Sequence, residues 1–380
     1  MWISRLALTD FRNHASLMLR LDRRPVVLAG PNGAGKTNVL EAVSLLTAGQ
    51  GLRRAAYPEL ARRDGTGGWA VAATLQTASG AFDIGTGLAP AEAASERSGR
   101  IVRLNGETQS GSGVLAELVE IVWLIPAMDG LFTGPASERR RFLDRLVLCF
   151  DAAHGTRAGQ FERAMRQRNR LLAEGVCDPS QFGGLEAVMA ETGVAMAAAR
   201  VESLTGLTAA IETRRLRNPN SPFPWATLRL DGQLEVALRD RPAVDVEDWY
   251  QSALAAGRER DRAAGRTLEG PHRSDLVVGH GPKSMPADTS STGEQKALLI
   301  GLVLAHASLL AEARDGAAPI LLLDEIAAHL DERRRAALFS EILTLGSQAW
   351  MSGTDRSAFE SIMNDAQFLL VEDGRIADAA

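Results

Sequence analysis

Residues 30–37 constrain the fold of this chain more than any other segment. They follow a short apolar run at residues 25–29, typical of a buried strand, and lead into residues 36–48, whose apolar side chains recur at helical spacing. The segment fits the pattern Gly-x-x-x-x-Gly-Lys-Thr in the strand–loop–helix context that the pattern requires. Its residues are Gly30, Pro31, Asn32, Gly33, Ala34, Gly35, Lys36 and Thr37.

This segment has the chemistry of a phosphate-binding loop. Its glycines let backbone N–H groups turn towards phosphate oxygens, and the helix N-terminus adds a partial positive charge. Lys36 can reach the β- and γ-phosphates, and the Thr37 hydroxyl can coordinate Mg²⁺. Lysine otherwise occurs only at Lys283 and Lys296, so this lysine departs from the chain's preference for arginine. We predict an ATP site; the alternative is a glycine-rich turn that merely contains a lysine.

A second motif lies at residues 319–325, where an apolar run ends in Asp324 and Glu325. The run is typical of a buried central strand whose carboxyl end reaches a ligand. We predict that Asp324 holds Mg²⁺ and that Glu325, as the catalytic residue together with Lys36, orients or deprotonates the attacking water. Taken alone, the motif also fits a core strand followed by an acidic helix cap.

A third motif, residues 290–296, precedes an apolar helix. Ser291 supplies a hydroxyl and Gly293 leaves space at a helix N-terminus, which are the features needed to bind a γ-phosphate. Ser291 followed by Glu294 is also a capping box. The two interpretations are compatible, because both use the unpaired N–H groups at the start of a helix.

Composition limits the possible partners and compartments. The chain has 42 basic and 47 acidic residues, a net charge of −5, so any nucleic-acid contact must be a local patch. Cys149 and Cys177 are too few for a disulfide framework or a cysteine zinc site, which predicts a reducing, cytoplasmic setting. The start of the chain lacks a secretory signal, and residues 297–311 are shorter than the roughly 20 residues of a membrane helix. We therefore expect no membrane partner.

The pattern of elements predicts two lobes. Alternating strands and helices occupy both ends of the chain, whereas the middle is rich in arginine- and alanine-containing helices. We predict an α/β head with a mixed sheet, formed by residues 1–140 and 262–380, that is split by a helical lobe at residues 141–261.

These motifs, in this order, resemble the ABC-type P-loop ATPase heads of the SMC and RecF group, and within it the RecF type of DNA replication and repair protein. The modest helical insertion fits RecF, since SMC proteins carry far longer coiled coils. Further segments that support the resemblance are residues 8–13, 35–42, 134–144, 167–169 and 270–275.

The resemblance implies a homodimer that forms on ATP binding. Ser291 and Gly293 of one subunit would close over ATP held by the phosphate loop of the other, an isologous arrangement. Thr292 replaces the usual glycine, and residues 351–354 lack the histidine of transporter ATPases. Both departures favour a slow, switch-like ATPase.

The resemblance also places three residues beside the nucleotide, namely Arg12, Asn13 and Asn38. For Arg12 and Asn13 the alternative is an ordinary surface loop after the first strand.

RecF-like function implies ATP-dependent binding of double-stranded DNA near single-strand gaps and at single-strand/duplex junctions, with DNA-stimulated hydrolysis as the release step. It implies RecR, RecO and RecA as partners in recombinational repair and the SOS response, in the nucleoid region of the cytoplasm. The alternatives are an ABC-type subunit coupled to a membrane partner, and a scaffold that never hydrolyses ATP, which Glu325 disfavours. Candidate DNA contacts, each of which alone also fits a solvated helix face, are arginines at residues 53–54, 62–63, 139–141 and 214–217.

Overall fold

The computed structural model of the chain describes residues 1–90, 99–176 and 178–378. Residues 85–99 are rich in alanine, serine and glycine, which predicts a polar connection, and most of this segment, like Cys177, lies outside the described residues. The chain forms two compact units. Unit 1 contains Met1–Asp129, Arg214–Pro224 and Ser291–Ala380, and unit 2 contains Gly130–Thr213 and Trp225–Ser290.

Sheet 1 of unit 1 is antiparallel, with strand order β2-β1-β4-β5-β6-β7. Burial alternates along the middle of its long strands, so that Leu6 and Leu8 of β1 face the core while Ala7 and Thr9 face outward. Its strands are β1 (Trp2–Phe11), β2 (His14–Arg20), β4 (Trp69–Thr77), β5 (Gly80–Leu88), β6 (Ile101–Leu104) and β7 (Glu107–Thr108).

Sheet 2 of unit 1 is mixed, as predicted, with strand order β15-β14-β3-β13-β12-β8. All its pairings are parallel except the antiparallel β14–β15 pair, and β3 and β12 flank β13. Parallel strands present their carboxyl ends at one edge, and this brings together segments far apart in sequence. The strands are β3 (Val26–Ala29), β8 (Ile121–Leu124), β12 (Ile320–Leu323), β13 (Ala349–Gly353), β14 (Gln367–Glu372) and β15 (Arg375–Asp378).

The helices of unit 1 pack on these sheets. Trp350 of β13 is fully buried and Trp123 of β8 packs against the same core, as their positions in apolar strand segments predict. The helices are α1 (Lys36–Ser44), α2 (Val114–Leu118), α9 (Thr292–Ala313) and α10 (Glu332–Leu345).

Unit 2 combines helices with a small antiparallel sheet 3 of order β11-β10-β9. The apolar pattern of residues 276–278 predicts a strand, which is present within β10, but this strand pairs with β9 rather than with the strands of unit 1. Residues 130–140 and 262–290, assigned to the head from sequence, therefore belong to unit 2. Its elements are α3 (Ala136–Leu148), α4 (His154–Ala173), α5 (Ser180–Arg217, continuing into unit 1), β9 (Ala226–Asp231), α6 (Gln233–Ala237), α7 (Ala243–Ala256), α8 (Arg258–Ala264), β10 (Asp275–His280) and β11 (Met285–Pro286).

Buried ion pairs hold unit 2 together. Arg168 is fully buried, with its Nε 3.0 Å from Glu186 Oε1 and one terminal nitrogen 2.7 Å from Asp261 Oδ2. The Arg200 guanidinium donates two hydrogen bonds, of 2.7 and 2.9 Å, to the carboxylate of Asp144. Buried charges require such partners, so these arginines have structural roles.

Among the described residues, two helices, α5 and α9, are long and apolar enough to cross a bilayer by length and composition alone. The apolar window of α9 is 72% buried inside the structure and that of α5 is 44% buried. The core helix of a globular unit has the same properties, and the burial of α9 is that of a core helix.

Candidate nucleotide site

The loop between β3 and α1 requires glycine at two positions. Gly30 has φ 154° and Gly35 has φ 113°, conformations that residues with a Cβ rarely adopt. A Cβ on Gly30 would lie 2.1 Å from the Val371 carbonyl oxygen, and one on Gly35 would lie 2.6 Å from Asn13 Nδ2. At Gly30 and Gly35 the loop backbone therefore lies too close to its neighbours for a residue with a side chain to fit.

Lys36 begins α1 and is only 5% exposed. Its Nζ donates hydrogen bonds to the carbonyl oxygens of Gly30 at 2.7 Å and Pro31 at 2.9 Å, so the ammonium group lies inside the loop. Burial lowers the pKa of Lys36, and the negative charges of Glu325 and Asp324 oppose this shift. The ammonium group and both carboxylates thus share one electrostatic environment.

The carboxyl ends of β12 and β13 meet the start of α1. Thr37 Oγ1 lies 3.0 and 3.1 Å from the two carboxylate oxygens of Asp324, although the residues are 287 positions apart. Ser352 Oγ donates to Asp324 Oδ1 at 2.6 Å and accepts from the Glu325 backbone N–H at 2.8 Å. Glu325 itself has a left-handed backbone with φ 51°. The structure therefore brings together the two motifs that the sequence nominated separately.

Ser352 was missed as a site residue by sequence reasoning. In the sequence, residues 351–354 were distinguished only by the absence of the histidine found in transporter ATPases. The available signal was the end of an apolar strand near residue 351, but its use requires knowing that β13 lies between β3 and β12.

Arg12 and Asn13 form the turn between β1 and β2, and the turn packs on the loop and α1. Asn13 Nδ2 donates to the Ala34 carbonyl oxygen at 3.0 Å, and Asn13 Oδ1 accepts from Asn38 Nδ2 at 2.7 Å. The Arg12 guanidinium makes two 2.8 Å hydrogen bonds to the carboxylate of Glu41, a fully buried residue of α1. All three predicted residues therefore lie beside the loop, and Glu41 is a partner that the sequence did not reveal.

The turn between β14 and β15 braces the loop from another direction. The Gly374 N–H donates to the Ala34 carbonyl oxygen at 3.1 Å. His14 Nδ1 lies 2.8 Å from the Gly374 carbonyl oxygen, and His14 Nε2 lies 3.4 Å from that of Gly35. These backbone-mediated contacts leave no motif in the sequence.

Comparison with known proteins assigns the chain to a family. A family model described as RecF/RecN/SMC N terminal domain matches residues 2–374. DNA replication and repair protein RecF of Mesorhizobium japonicum is 56% identical over 375 residues, covering 98% of this chain and 97% of that protein. This chain belongs to the RecF family. RecF of Rhizobium johnstonii is 56% identical over 374 residues, with 98% of both chains covered.

Solved structures confirm the predicted ABC-type ATPase head fold of this RecF-family chain. The structure of the recombination mediator protein RecF-ATPrS in the RecFOR pathway superposes with a TM-score of 0.86 at 21% identity, covering 100% of this chain and 98% of that one. An SMC head bound to the C-winged helix domain of ScpA gives a TM-score of 0.57 at 15% identity, with the same coverage.

The third motif of this RecF-family chain has the capping geometry expected from its sequence. Ser291 is the N-cap of α9, and it forms a capping box with Glu294, whose Oε2 lies 3.0 Å from Ser291 Oγ. A Cβ on Gly293 would have open space around it. Within the described part of the chain, no hydrogen bond joins the Ser291 side chain to residues 30–37. Completion of a composite site by a second copy stays a prediction.

Each of the arginine clusters predicted from sequence has at least one member in an ion pair. The partners are carboxylates of the same unit, so less positive charge is left for DNA than the sequence suggests. These pairs are Arg53 with Glu41, Arg62 with Asp10, Arg139 with Asp275, Arg214 with Glu341, and Arg217 with Glu312.

Proposed function

We propose that this RecF-family chain is an ATP-dependent DNA-binding switch of recombinational repair. The observation that carries the proposal is the convergence of Thr37 and Asp324 at the carboxyl edge of sheet 2, beside the loop that encloses Lys36. This is the arrangement in which a P-loop protein holds nucleotide and metal.

The donor set fits a nucleotide-bound Mg²⁺. Mg²⁺ prefers one or two protein oxygens together with phosphate oxygens and water, and Thr37 and Asp324 supply a hydroxyl and a carboxylate. Among the described residues there is no group of three or more His, Cys, Asp or Glu side chains able to form an all-protein metal cage. When bound, the ion would neutralise charge developing on the phosphate oxygens.

The chain's own residues would perform the remaining steps. Lys36 would exchange its two carbonyl partners for phosphate oxygens, which are stronger, charged acceptors. Glu325 would orient the attacking water, with its backbone fixed by Ser352. Backbone N–H groups of residues 30–37, together with Arg12, Asn13 and Asn38 beside the loop, would complete the nucleotide pocket.

A second copy would supply the missing side of this pocket. Ser291 and Gly293 lie at an exposed helix start, where unpaired N–H groups favour an anion. Dimerisation on ATP binding, with slow DNA-stimulated hydrolysis as the release step, follows from such an isologous contact. The partners proposed are duplex DNA near single-strand junctions, and RecR with RecO and RecA, in recombinational repair and the SOS response in the nucleoid region of the cytoplasm. Family membership favours this role over an ATPase subunit with a membrane partner.

Light scattering of the full chain, with ATP and Mg²⁺ and with or without duplex DNA, tests the proposal. Wild type should dimerise with ATP. Lys36→Ala should lose both ATP binding and dimerisation, whereas Ser291→Arg should bind ATP and stay monomeric. Ser308→Ala, near the other end of α9, should behave as wild type, since the Ser308 hydroxyl donates to the Leu304 carbonyl oxygen of its own helix. Dimerisation that ignores ATP, or that survives Ser291→Arg, would refute the composite site.

A further inference from the structure

The outward face of sheet 1 has a floor of very small side chains. Antiparallel register aligns Ala7 of β1 with Ala72 of β4, and Ala72 with Gly85 of β5. One step along the strands, Ala70 lies opposite Gly87. Residues opposite each other across an antiparallel pair share a face, so these five positions form one flat, low surface.

Three arginines lie on the same outward face of sheet 1. Arg5 lies opposite Arg20 across the β1–β2 pair, and Arg103 of β6 lies opposite Gly85. All three are exposed and, within the described part of the chain, none forms an ion pair. Asp83, opposite Thr74, adds one negative charge at one end of the face. The face therefore has an excess of positive charge on a chain whose net charge is −5.

The spacing of these arginines leaves room for an extended ligand. Three strand spacings separate β1 from β6, which places Arg5 and Arg103 roughly 14 Å apart across the sheet. A shallow cavity of about 210 Å³ lies on the floor between them, and both arginines line it. Small floor residues allow a rigid strand of phosphates to approach the backbone of the sheet closely.

We infer that this face of sheet 1, defined by Arg5, Arg20 and Arg103 around the alanine–glycine floor, binds the phosphodiester backbone of double-stranded DNA. The inference rests on the proposed function and names its DNA surface. Guanidinium groups without a protein partner match phosphate oxygens in charge and geometry. Alanine and glycine offer unpaired bases no ring to stack on, and this favours duplex over single strands.

The test measures binding of the full chain to a fluorescent 30-base-pair duplex by anisotropy, with ATP and Mg²⁺, across a salt series. The triple variant Arg5→Ala, Arg20→Ala, Arg103→Ala should bind at least ~10-fold more weakly. Its slope of log affinity against log salt should be shallower by about 3, since each phosphate contact contributes about 0.9. The matched control removes three exposed arginines that lie outside sheet 1 and outside the clusters named above, and it should keep the wild-type slope: Arg163→Ala, Arg239→Ala, Arg266→Ala.

Two single variants test the same face in opposite directions. Asp83→Asn removes its negative charge and should tighten duplex binding about 2- to 3-fold, a gain that misfolding cannot produce. Ala72→Glu adds bulk and negative charge to the exposed floor and should abolish ATP-dependent duplex binding. Thermal unfolding and ATP affinity, measured for each variant, report whether the fold is retained.

The outcomes separate the two proposals. If wild type itself shows no ATP-dependent DNA binding, the proposed function fails. If wild type binds but the triple variant keeps the same affinity and salt slope, only the assignment of this face fails. Loss of RecR binding with unchanged duplex binding would also overturn it, and would make the face a protein-docking surface.

Discussion

Replacing Ser352 by alanine tests whether the hydroxyl between β12 and β13 sets the geometry of the candidate site. Ser352 is fully buried, and its oxygen joins the Asp324 carboxylate to the Glu325 backbone. Alanine fits the same space but makes neither hydrogen bond. The substitution therefore isolates the hydroxyl without disturbing the packing of the strand.

The expected effect on stability follows from the two bonds lost. A hydrogen bond to a charged group contributes about 1.5–3 kcal/mol, and the Glu325 N–H would lose its partner at a further penalty of about 1–3 kcal/mol. Relaxation and water entry offset part of this, so we expect the free energy of unfolding to fall by about 3 kcal/mol. Without its anchor, the left-handed backbone at Glu325 would also relax.

The effect on turnover should exceed the effect on binding. A shift of about 1 Å in a catalytic group can slow a reaction about 100-fold, so kcat of Ser352→Ala should fall roughly 10- to 100-fold. The contacts of Lys36 with the loop are unchanged, so ATP affinity should stay within about 3-fold of wild type. Turnover is measured by phosphate release, affinity by calorimetry and stability by urea unfolding.

Two controls separate geometry from packing. Ser352→Thr retains the hydroxyl and should recover most of the turnover. Ser347, just before β13, has another buried hydroxyl, which donates to the carbonyl oxygen of Pro319 just before β12, and Ser347→Ala removes it at the opposite ends of these strands from the site. This variant should lower stability and leave kcat unchanged. Wild-type turnover in Ser352→Ala would refute the positioning role.

Three further predictions use the same assays. Glu325→Gln should bind ATP normally and hydrolyse it at least ~100-fold more slowly, and undiminished phosphate release would remove Glu325 from its role. Glu41→Gln should lower the free energy of unfolding by about 3 kcal/mol, because two arginines lose a buried carboxylate partner; an unchanged urea midpoint would contradict this. At Asp144, burial raises the pKa, but the His154 hydrogen bond and the Arg200 charge outweigh it and lower the pKa to about 2. This carboxylate should therefore contribute about 2 kcal/mol above about pH 4, lost as the pH falls towards 2, and Asp144→Asn should flatten that part of the stability profile.

The sequence predicted those features that depend on contiguous residues. The loop at residues 30–37 and the strand ending in Asp324 each carry their chemistry within eight positions, so each was found from local pattern. Ser352 and His14 were not found, because their roles depend on which strands are neighbours in sheet 2 and on the turn at Gly374. Neighbour relations between distant strands leave no local pattern.

The bounds of the two units and the ion pairs within the arginine clusters could not be predicted, for a related reason. Residues 262–290 show a strand pattern, but a pattern does not reveal that β10 pairs with β9. Runs of arginine were easy to see, yet members such as Arg139 are held by carboxylates distant in sequence. Arg5, Arg20 and Arg103 are isolated in sequence, and only the register of sheet 1 places them on one face. Whether an arginine has a carboxylate partner therefore depends on the fold and not on the local sequence.

The candidate nucleotide site also depends on both ends of the chain. Asn13 and His14 lie in the β1–β2 hairpin and Gly374 in the β14–β15 hairpin. Asp324 follows β12, a strand that comes after both segments of unit 2 in the sequence. Each contact stabilises a loop whose glycines lose much conformational entropy when folding fixes their backbone. The loop should therefore hold its shape only when unit 1 is folded as a whole. Nucleotide would then bind the folded unit and not the unfolded chain. At a nucleotide concentration a hundred times its Kd, this would raise the free energy of unfolding by about 2.7 kcal/mol.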